Sequence, residues 1–269
     1  MSGAIYIPTL SRIDSLIKIM PAWLEYGYPI VLVVDPMELK QHVQFRDDQG
    51  WQGYVSIARV PFNDRGMGYK RRYCVQHAYE MGWDSIIMSD DDHKPRAGTE
   101  AGLLLNVAEK PDMLGIGATV QIYARFTGGR INDMHGPILW PGGAGFSVYG
   151  LNIRNVLEVG SFDPELHSFG EDAELRREGI ASGFPWYVHA DVRVDAVNQR
   201  NSPGGFMAKY DGSLAARTAA ERECRALIYE RWPQYVSHPD KPPRMAWQRM
   251  LSDYIPYWRN LSALHGGSL

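Results

Sequence analysis

The sequence predicts an α/β fold: a single domain with a mostly parallel sheet flanked by helices, followed by a helical C-terminal extension. Three observations predict it. Through the first half of the chain, short β-rich apolar runs alternate with segments of helical period, the sequence form of βαβ units. One of those runs ends abruptly in consecutive carboxylates, and open α/β sheets bind ligands beyond the C-terminal ends of their strands. The 269 residues exceed one minimal domain and fall short of two large ones.

Strands are expected at Ala4 to Pro8, Ile30 to Val34, Tyr54 to Val60 and Ser85 to Met88, each bounded by proline, glycine or a polar residue. Between the first two, Ser11 to Tyr26 repeats Ile13, Leu16, Ile17, Met20 and Leu24 at helical spacing. A turn joins the second and third strands, and Gly68 to Met81 is helical through Tyr69, Tyr73, Val75 and Ala78. A helix from about Ala97 to Glu109 precedes a fifth strand at Met113 to Val120, and Gly145 to Tyr149 reads as a sixth. A helix over residues 170–180 begins at Gly170-Glu171-Asp172, where carboxylates favour the positive end of the helix dipole. Trp186 to Val197 is a further strand. Asn198 to Gly205 is then a polar loop with the composition of a hinged lid. A helix from Leu214 to Arg231 and a proline-broken tail complete the chain. The expected division is 1–205 for the main domain and 206–269 for an extension packed on it.

Composition narrows the class. With 45% hydrophobic and 22% charged residues and a mean hydropathy of -0.31, the chain is neither disordered nor membrane-embedded. A net charge of -3 excludes a protein basic all over, although residues 200–269 are net basic and the first 199 net acidic. Cys74 and Cys224 show no CxxC or Cys/His ligand spacing, so free thiols in a reducing compartment are expected. The N-terminus enters a strand without a basic and then apolar leader, and no run reaches membrane-spanning length. A cytoplasmic protein without membrane contact is expected; the sequence leaves the oligomeric state open.

The segment Ser85-Ile86-Ile87-Met88-Ser89-Asp90-Asp91-Asp92-His93 carries the most chemistry. Adjacent acids repel and desolvate badly unless a cation neutralises them. At a strand's C-terminal end such a cluster suits Mg²⁺ or Mn²⁺ bridging to a diphosphate. The alternative is a solvated turn with capping aspartates. The loop Phe62 to Arg72 combines Asn63, Gly66 and Gly68 with Arg65, Lys70, Arg71 and Arg72, which allows close backbone approach and supplies charge for phosphate. It lacks the GK[ST] ending of a P-loop, so an ATPase is disfavoured. Pro8-Thr9-Leu10-Ser11-Arg12 and Asp35 fall on the same sheet edge; the arginine could hold a phosphate and the aspartate a ribose or base edge.

Together these segments resemble the GT-A glycosyltransferases, nucleotide-sugar enzymes with a Rossmann-like domain. The resemblance covers roughly residues 4–200. It runs through Ile7-Pro8-Thr9 with Ser11-Arg12, Asp35, the Asn63/Gly66/Lys70-Arg71 segment, and Asp90-Asp91-Asp92 in the place of the DxD. It continues through Pro141-Gly142-Gly143-Ala144-Gly145, like an acceptor-side glycine loop, and Gly170-Glu171-Asp172, like the family's acidic pair. Within the class the pattern looks most like the TET/JBP-associated enzymes, mostly viral, proposed to glycosylate hydroxymethylated pyrimidines such as hydroxymethylcytosine in DNA. A bacteriophage or other viral origin would make the compartment a host cytoplasm.

The resemblance implies a hexosyltransferase that moves sugar from a nucleotide-diphosphate sugar, of which UDP-glucose is an example, to a hydroxyl with inversion. Pro8, Thr9, Ser11, Arg12, Asp35, Asn63, Gly66, Lys70, Arg71, Asp90 and Asp91 would bind donor, with Asp91 in reach of sugar or ribose. Asp90 and Asp92 would hold the metal with His189 as third ligand and Asp195 in reserve, and Asp172 would be the general base with Glu171 second. Helix capping remains open for Glu171 and Asp172, and core packing for His189. His135, Trp140, Gly142 and Gly143 would shape the acceptor side, Trp140 by stacking unless it is simply core. DNA contact by Arg244, Trp247, Arg249, Tyr254, Tyr257, Trp258 and Arg259 competes with an amphipathic helix packed on the domain.

Three other readings stay open. The acceptor could be a glycan or a small molecule. A sugar nucleotidyltransferase would share the sheet and the acids, but usually carries glycine directly after strand one, which Pro8 to Arg12 lacks. A binding protein that lost catalysis would not be expected to keep both acidic clusters.

Overall fold

The computed structural model describes residues 3–63, 65–120, 135–139, 147–197, 210, 213–241 and 244–255. Strands β1 (Gly3–Pro8), β2 (Ile30–Val34), β3 (Val55–Arg59) and β4 (Ser85–Ser89) pair in parallel in the order β3-β2-β1-β4. Every residue of β2 and β4 is buried, as continuous apolar runs require when helices cover both faces. Alternate residues of β1 serve opposite layers. Ile5 and Ile7 pack with Leu16, Ile19, Met20 and Trp23 of α1 (Ile13–Leu24), whereas Ala4 and Tyr6 pack in the core that holds Cys74, Val75 and Ala78. Between β2 and β3 the chain forms α2 (Leu39–Asp48), and α3 (Met67–Glu80) follows β3.

Beyond β4 the sheet is mixed. After β5 (His93–Pro95) come β6 (Gly115–Val120), β7 (Pro137–Leu139), β8 (Val148–Asn152) and β9 (Trp186–Ala196). β8 runs antiparallel to both β4 and β6, β9 is parallel to β6, and β5 and β7 are antiparallel to β9. The order is β3-β2-β1-β4-β8-β6-β9-β5, with β7 also on β9. Because β5 follows β4 directly yet pairs with β9, the acidic loop Asp90-Asp91-Asp92 connects strands at separate places in the sheet.

Several elements depart from the sequence expectation. The turn expected before β3 is α2, which buries only His42 and Phe45 and so shows almost no apolar period. Residues Ala101–Glu109 form a 3-10 helix, and the sixth expected strand lies three residues later, as β8. β5, β7 and α4 (Ile153–Glu158) are too short to leave a period.

The remaining helices are α5 (Glu171–Ala181), α6 (Leu214–Arg231) and α7 (Trp247–Tyr254). They share a third core in which Ile180, Ile228, Trp232, Trp247 and Met250 are buried. Trp247 is 4% exposed, with the Arg176 guanidinium 4.4 Å from its ring centre. Of the two roles open to it in the sequence, Trp247 thus takes that of a helix packed on the domain, not that of a stacking surface for nucleic acid. Arg249 and Tyr254 remain accessible, while Tyr257, Trp258 and Arg259 lie outside the described residues.

Candidate active site

The C-terminal ends of β1, β2 and β4 bring the expected segments to one edge, and charge pairs lock them together. Asp91 is the hinge of this arrangement. Its Oδ2 accepts from Thr9 Oγ1 at 2.9 Å and from the Leu10 amide at 3.3 Å, and its Oδ1 lies 2.9 Å from Arg12 Nη1. Only 6% exposed, it is pushed up to about 6 by burial, which Arg12 and Thr9 partly offset. A carboxylate so engaged staples the segment after β1 to the loop after β4.

Asp92 presents the other side of the same guanidinium. Its Oδ2 lies 2.6 Å from Arg12 Nη1 and its Oδ1 2.6 Å from His93 Nδ1. Burial raises the Asp92 pKa, but His93 and Arg12 prevail and hold it below the usual carboxylate range. For His93 burial lowers the pKa and Asp92, Asp90 and Asp91 raise it, with a net rise. Ligand atoms of Asp90, Asp92 and His93 all lie within 4.8 Å of one another, each residue half-buried. Two carboxylates and an imidazole form a donor set suited to Mn²⁺, so the residues present fit a divalent ion.

His93, not the expected His189, completes that group. β9 pairs with His93 at Ala196, whereas His189 lies further back on the same strand, opposite Ala118 and Pro137. His189 Nδ1 is 3.8 Å from Asp191 Oδ2, and Asp191 also accepts from the Gly136 amide and faces His135 Nδ1 at 2.7 Å. Asp195, the reserve ligand, pairs with Arg96 at 2.8 Å. The signal for His93 was in the sequence, immediately after the third aspartate.

Arg71 links the two acidic clusters. Its Nη2 is 2.7 Å from Asp90 Oδ1, its Nη1 is 2.7 Å from Glu171 Oε1, and its guanidinium lies 5.6 Å from the Tyr149 ring centre. Glu171 is 7% exposed; burial pushes it up to about 7, with Arg71 opposing. Asp172, half-buried beside it, accepts from the Ala173 amide at 2.7 Å. The clusters 80 residues apart in sequence thus share one cation.

Local backbone geometry sets this up. Gly66 has φ +86, and a Cβ there would stand 2.3 Å from the His167 carbonyl oxygen, so only glycine lets the start of α3 dock on the segment before α5. Asn63 Oδ1 accepts from the Met37 amide at 3.1 Å, tying the loops after β3 and β2. Lys70 Nζ donates to the Thr9 carbonyl at 2.7 Å and pairs with Asp35 Oδ2 at 3.2 Å. Pro8, the last residue of β1, pairs with Val33.

Sequence reasoning missed Glu38 and His42, because it missed α2. Glu38 Oε1 accepts from both the Ser11 amide and hydroxyl at 2.6 Å, holding Ser11 at φ +52, a conformation non-glycine residues adopt at a cost. Ser11 in turn places Arg12. Among the described residues, the buried Asp35 Oδ1, Glu38 Oε2 and His42 Nε2 make no hydrogen bond. Trp140, Gly142, Gly143 and the loop Asn198 to Gly205 lie outside the described residues.

No protein-family model and no curated protein matches the chain. Its fold does match solved structures. GalNAc-T7 with UDP, GalNAc and Mn²⁺ superposes with a TM-score of 0.58 at 14% identity over 74% of this chain; the match spans 44% of that protein's length. The mannosyltransferase PcManGT from Pyrobaculum calidifontis, in complex with GDP-Man and Mn²⁺, gives a TM-score of 0.58 at 13% identity over 100% of this chain and 76% of that one. At such identity the likeness is one of fold, and it is the GT-A architecture.

Proposed function

We propose that the protein is a metal-dependent glycosyltransferase that moves a sugar from a nucleotide-diphosphate sugar to a hydroxyl acceptor with inversion. One observation carries the reading: a donor set of Asp90, Asp92 and His93 at the end of β4, joined through Arg71 to the acidic pair Glu171-Asp172. The fold neighbours, solved with nucleotides or nucleotide sugars and Mn²⁺, support it.

Asp90, Asp92 and His93 would hold the divalent ion, which when bound neutralises charge developing on the diphosphate leaving group. Asp35 Oδ1 is poised to accept from a ribose hydroxyl or a base N–H. Arg12 and Lys70 stand at the phosphate edge, already balanced by Asp91 with Asp92 and by Asp35, so donor phosphates would share rather than create their pairing. Asp172 is assigned as the base: it takes the acceptor proton as the acceptor oxygen bonds to the anomeric carbon and the bond to diphosphate breaks. Glu171, held by Arg71, orients the pair.

Incubation with Mn²⁺, a panel of nucleotide sugars including UDP-glucose, and separate acceptors tests this. Release of nucleoside diphosphate with a hexose mass gain on an acceptor is expected. Pyrophosphate release would indicate a nucleotidyltransferase instead, and absence of metal-dependent turnover a binding protein. Hydroxymethylated DNA is the first acceptor to try. That choice rests on the sequence resemblance and on exposed Arg244 and Arg249, with Trp247 no longer among its supports; plain DNA and free glycans complete the panel.

A further inference from the structure

A cavity of about 350 Å³ lies behind α5. Gly170, Ala173 and Arg177 line it, and their spacing puts them on one side of the helix. Glu171 and Asp172 fall about 100° and 200° around from Gly170, away from that side. The cavity is therefore separate from the edge where Asp90 and Arg71 meet the acidic pair.

Its walls are cationic. Arg177, Arg225, Lys241 and Arg244 line it, together with His238, and no Asp or Glu does among the described residues. The countercharge nearby is already shared. Glu174, 2.7 Å from Arg177, also takes Arg231 and the Trp232 indole. Glu221 is 3.4 Å from Arg225 but 2.8 Å from Arg217. Arg225 Nε is buried without a hydrogen bond among the described residues. Lys241 and Arg244 are exposed and, among the described residues, without an ion pair. Ala173, Ile228, Val236 and Met245 add apolar lining. Phe169 and Trp247 already carry guanidinium contacts, at 4.8 Å from Arg225 and 4.4 Å from Arg176, so recognition rests on charge more than on stacking.

Four cations around one cavity repel one another, and an anion relieves that repulsion. Guanidinium forks suit the several oxygens of a phosphate better than a single-point anion. We propose that this cavity is a second binding site, for a phosphate group whose carrier meets its apolar lining. The site involves neither the metal group nor the acid pair.

Calorimetric titration of the full chain, in chelator so that no metal recruits phosphate elsewhere, tests it with inorganic phosphate and with short oligothymidylate as probes. In the double variant Lys241→Ala/Arg244→Ala, phosphate affinity is expected to fall at least about tenfold, while Arg12→Ala at the donor edge leaves it unchanged. Both altered residues are exposed, and an unchanged melting temperature confirms the fold. A parallel loss for oligothymidylate identifies a nucleic-acid phosphodiester as the source; a loss confined to inorganic phosphate identifies a small phosphorylated ligand. Undetectable binding to the unaltered chain, equal binding to the double variant, or loss in Arg12→Ala alone overturns the proposal. No turnover is read, so failure here leaves the proposed glycosyl transfer standing, and the reverse.

Discussion

The Arg71 guanidinium stands 2.7 Å from Glu171 Oε1 and, through its other terminal nitrogen, 2.7 Å from Asp90 Oδ1. One buried cation thus joins the loop after β4 to the first turn of α5. Arg71→Ala leaves Glu171 buried without its partner, and such losses cost about 3–5 kcal/mol. Arg71→Lys keeps the charge but not the two-pronged geometry. Denaturant unfolding should therefore show Arg71→Lys clearly more stable than Arg71→Ala, with turnover of both strongly reduced. Equal stability of Arg71→Ala and the unaltered chain would remove the bridge from the account.

Asp92 and His93 separate metal binding from folding. In Asp92→Asn, Arg12 keeps its pair with Asp91, so the stability loss should be smaller than that of Arg71→Ala. Metal-dependent donor turnover should fall about 100-fold or more. His93→Ala should raise the Mn²⁺ concentration for half-maximal turnover at least about tenfold, whereas His189→Ala should not. The reverse ranking of the two histidines would restore His189 as the ligand.

Glu171 makes stability depend on pH in a definite direction. Its folded pKa of about 7 lies above the ordinary 4.5. Between those values the folded chain keeps a proton that the unfolded chain releases. The contribution is fully present below about 4.5 and is lost as pH rises through about 7. The melting temperature of the unaltered chain relative to Glu171→Gln should accordingly fall from pH 5 to pH 8. A flat difference would mean that Glu171 ionises like an exposed acid.

Gly66→Ala tests the docking of α3 against the segment before α5. A left-handed φ costs a side-chain-bearing residue about 1–3 kcal/mol, and the overlap with the His167 carbonyl adds to it. Thermal unfolding should show a loss at or above that range, with activity falling in step because α3 carries Lys70 and Arg71.

Trp247→Ala distinguishes a packing role from a nucleic-acid contact. Removing a buried tryptophan costs about 3–5 kcal/mol, which chemical denaturation would register. A variant of unchanged stability that binds DNA less well would return Trp247 to the surface.

Much of the fold was legible because long apolar elements write their period into the chain. The strands at β1, β2 and β4 and the helices α1, α3 and α6 follow it closely, and the three carboxylates follow β4 as expected. Helix α2 left no such trace, since its buried positions include His42 and its remaining surface is polar. With it went Glu38, whose grip on Ser11 sets Arg12. β5 and β7, three residues each, were equally silent.

By itself the sequence determined the α/β class, the parallel start of the sheet and the acidic residues available for chemistry, because these follow from local patterning and from charge that needs neutralising. Only the tertiary structure decided which groups meet. It engaged Asp91 with Thr9 and Arg12, put His93 beside Asp90 and Asp92 with His189 further along β9, buried Trp247, and gave Asp90 and Glu171 a common arginine. Those outcomes depend on strand order and on helix faces meeting across long separations, where no periodic signal in the chain reaches.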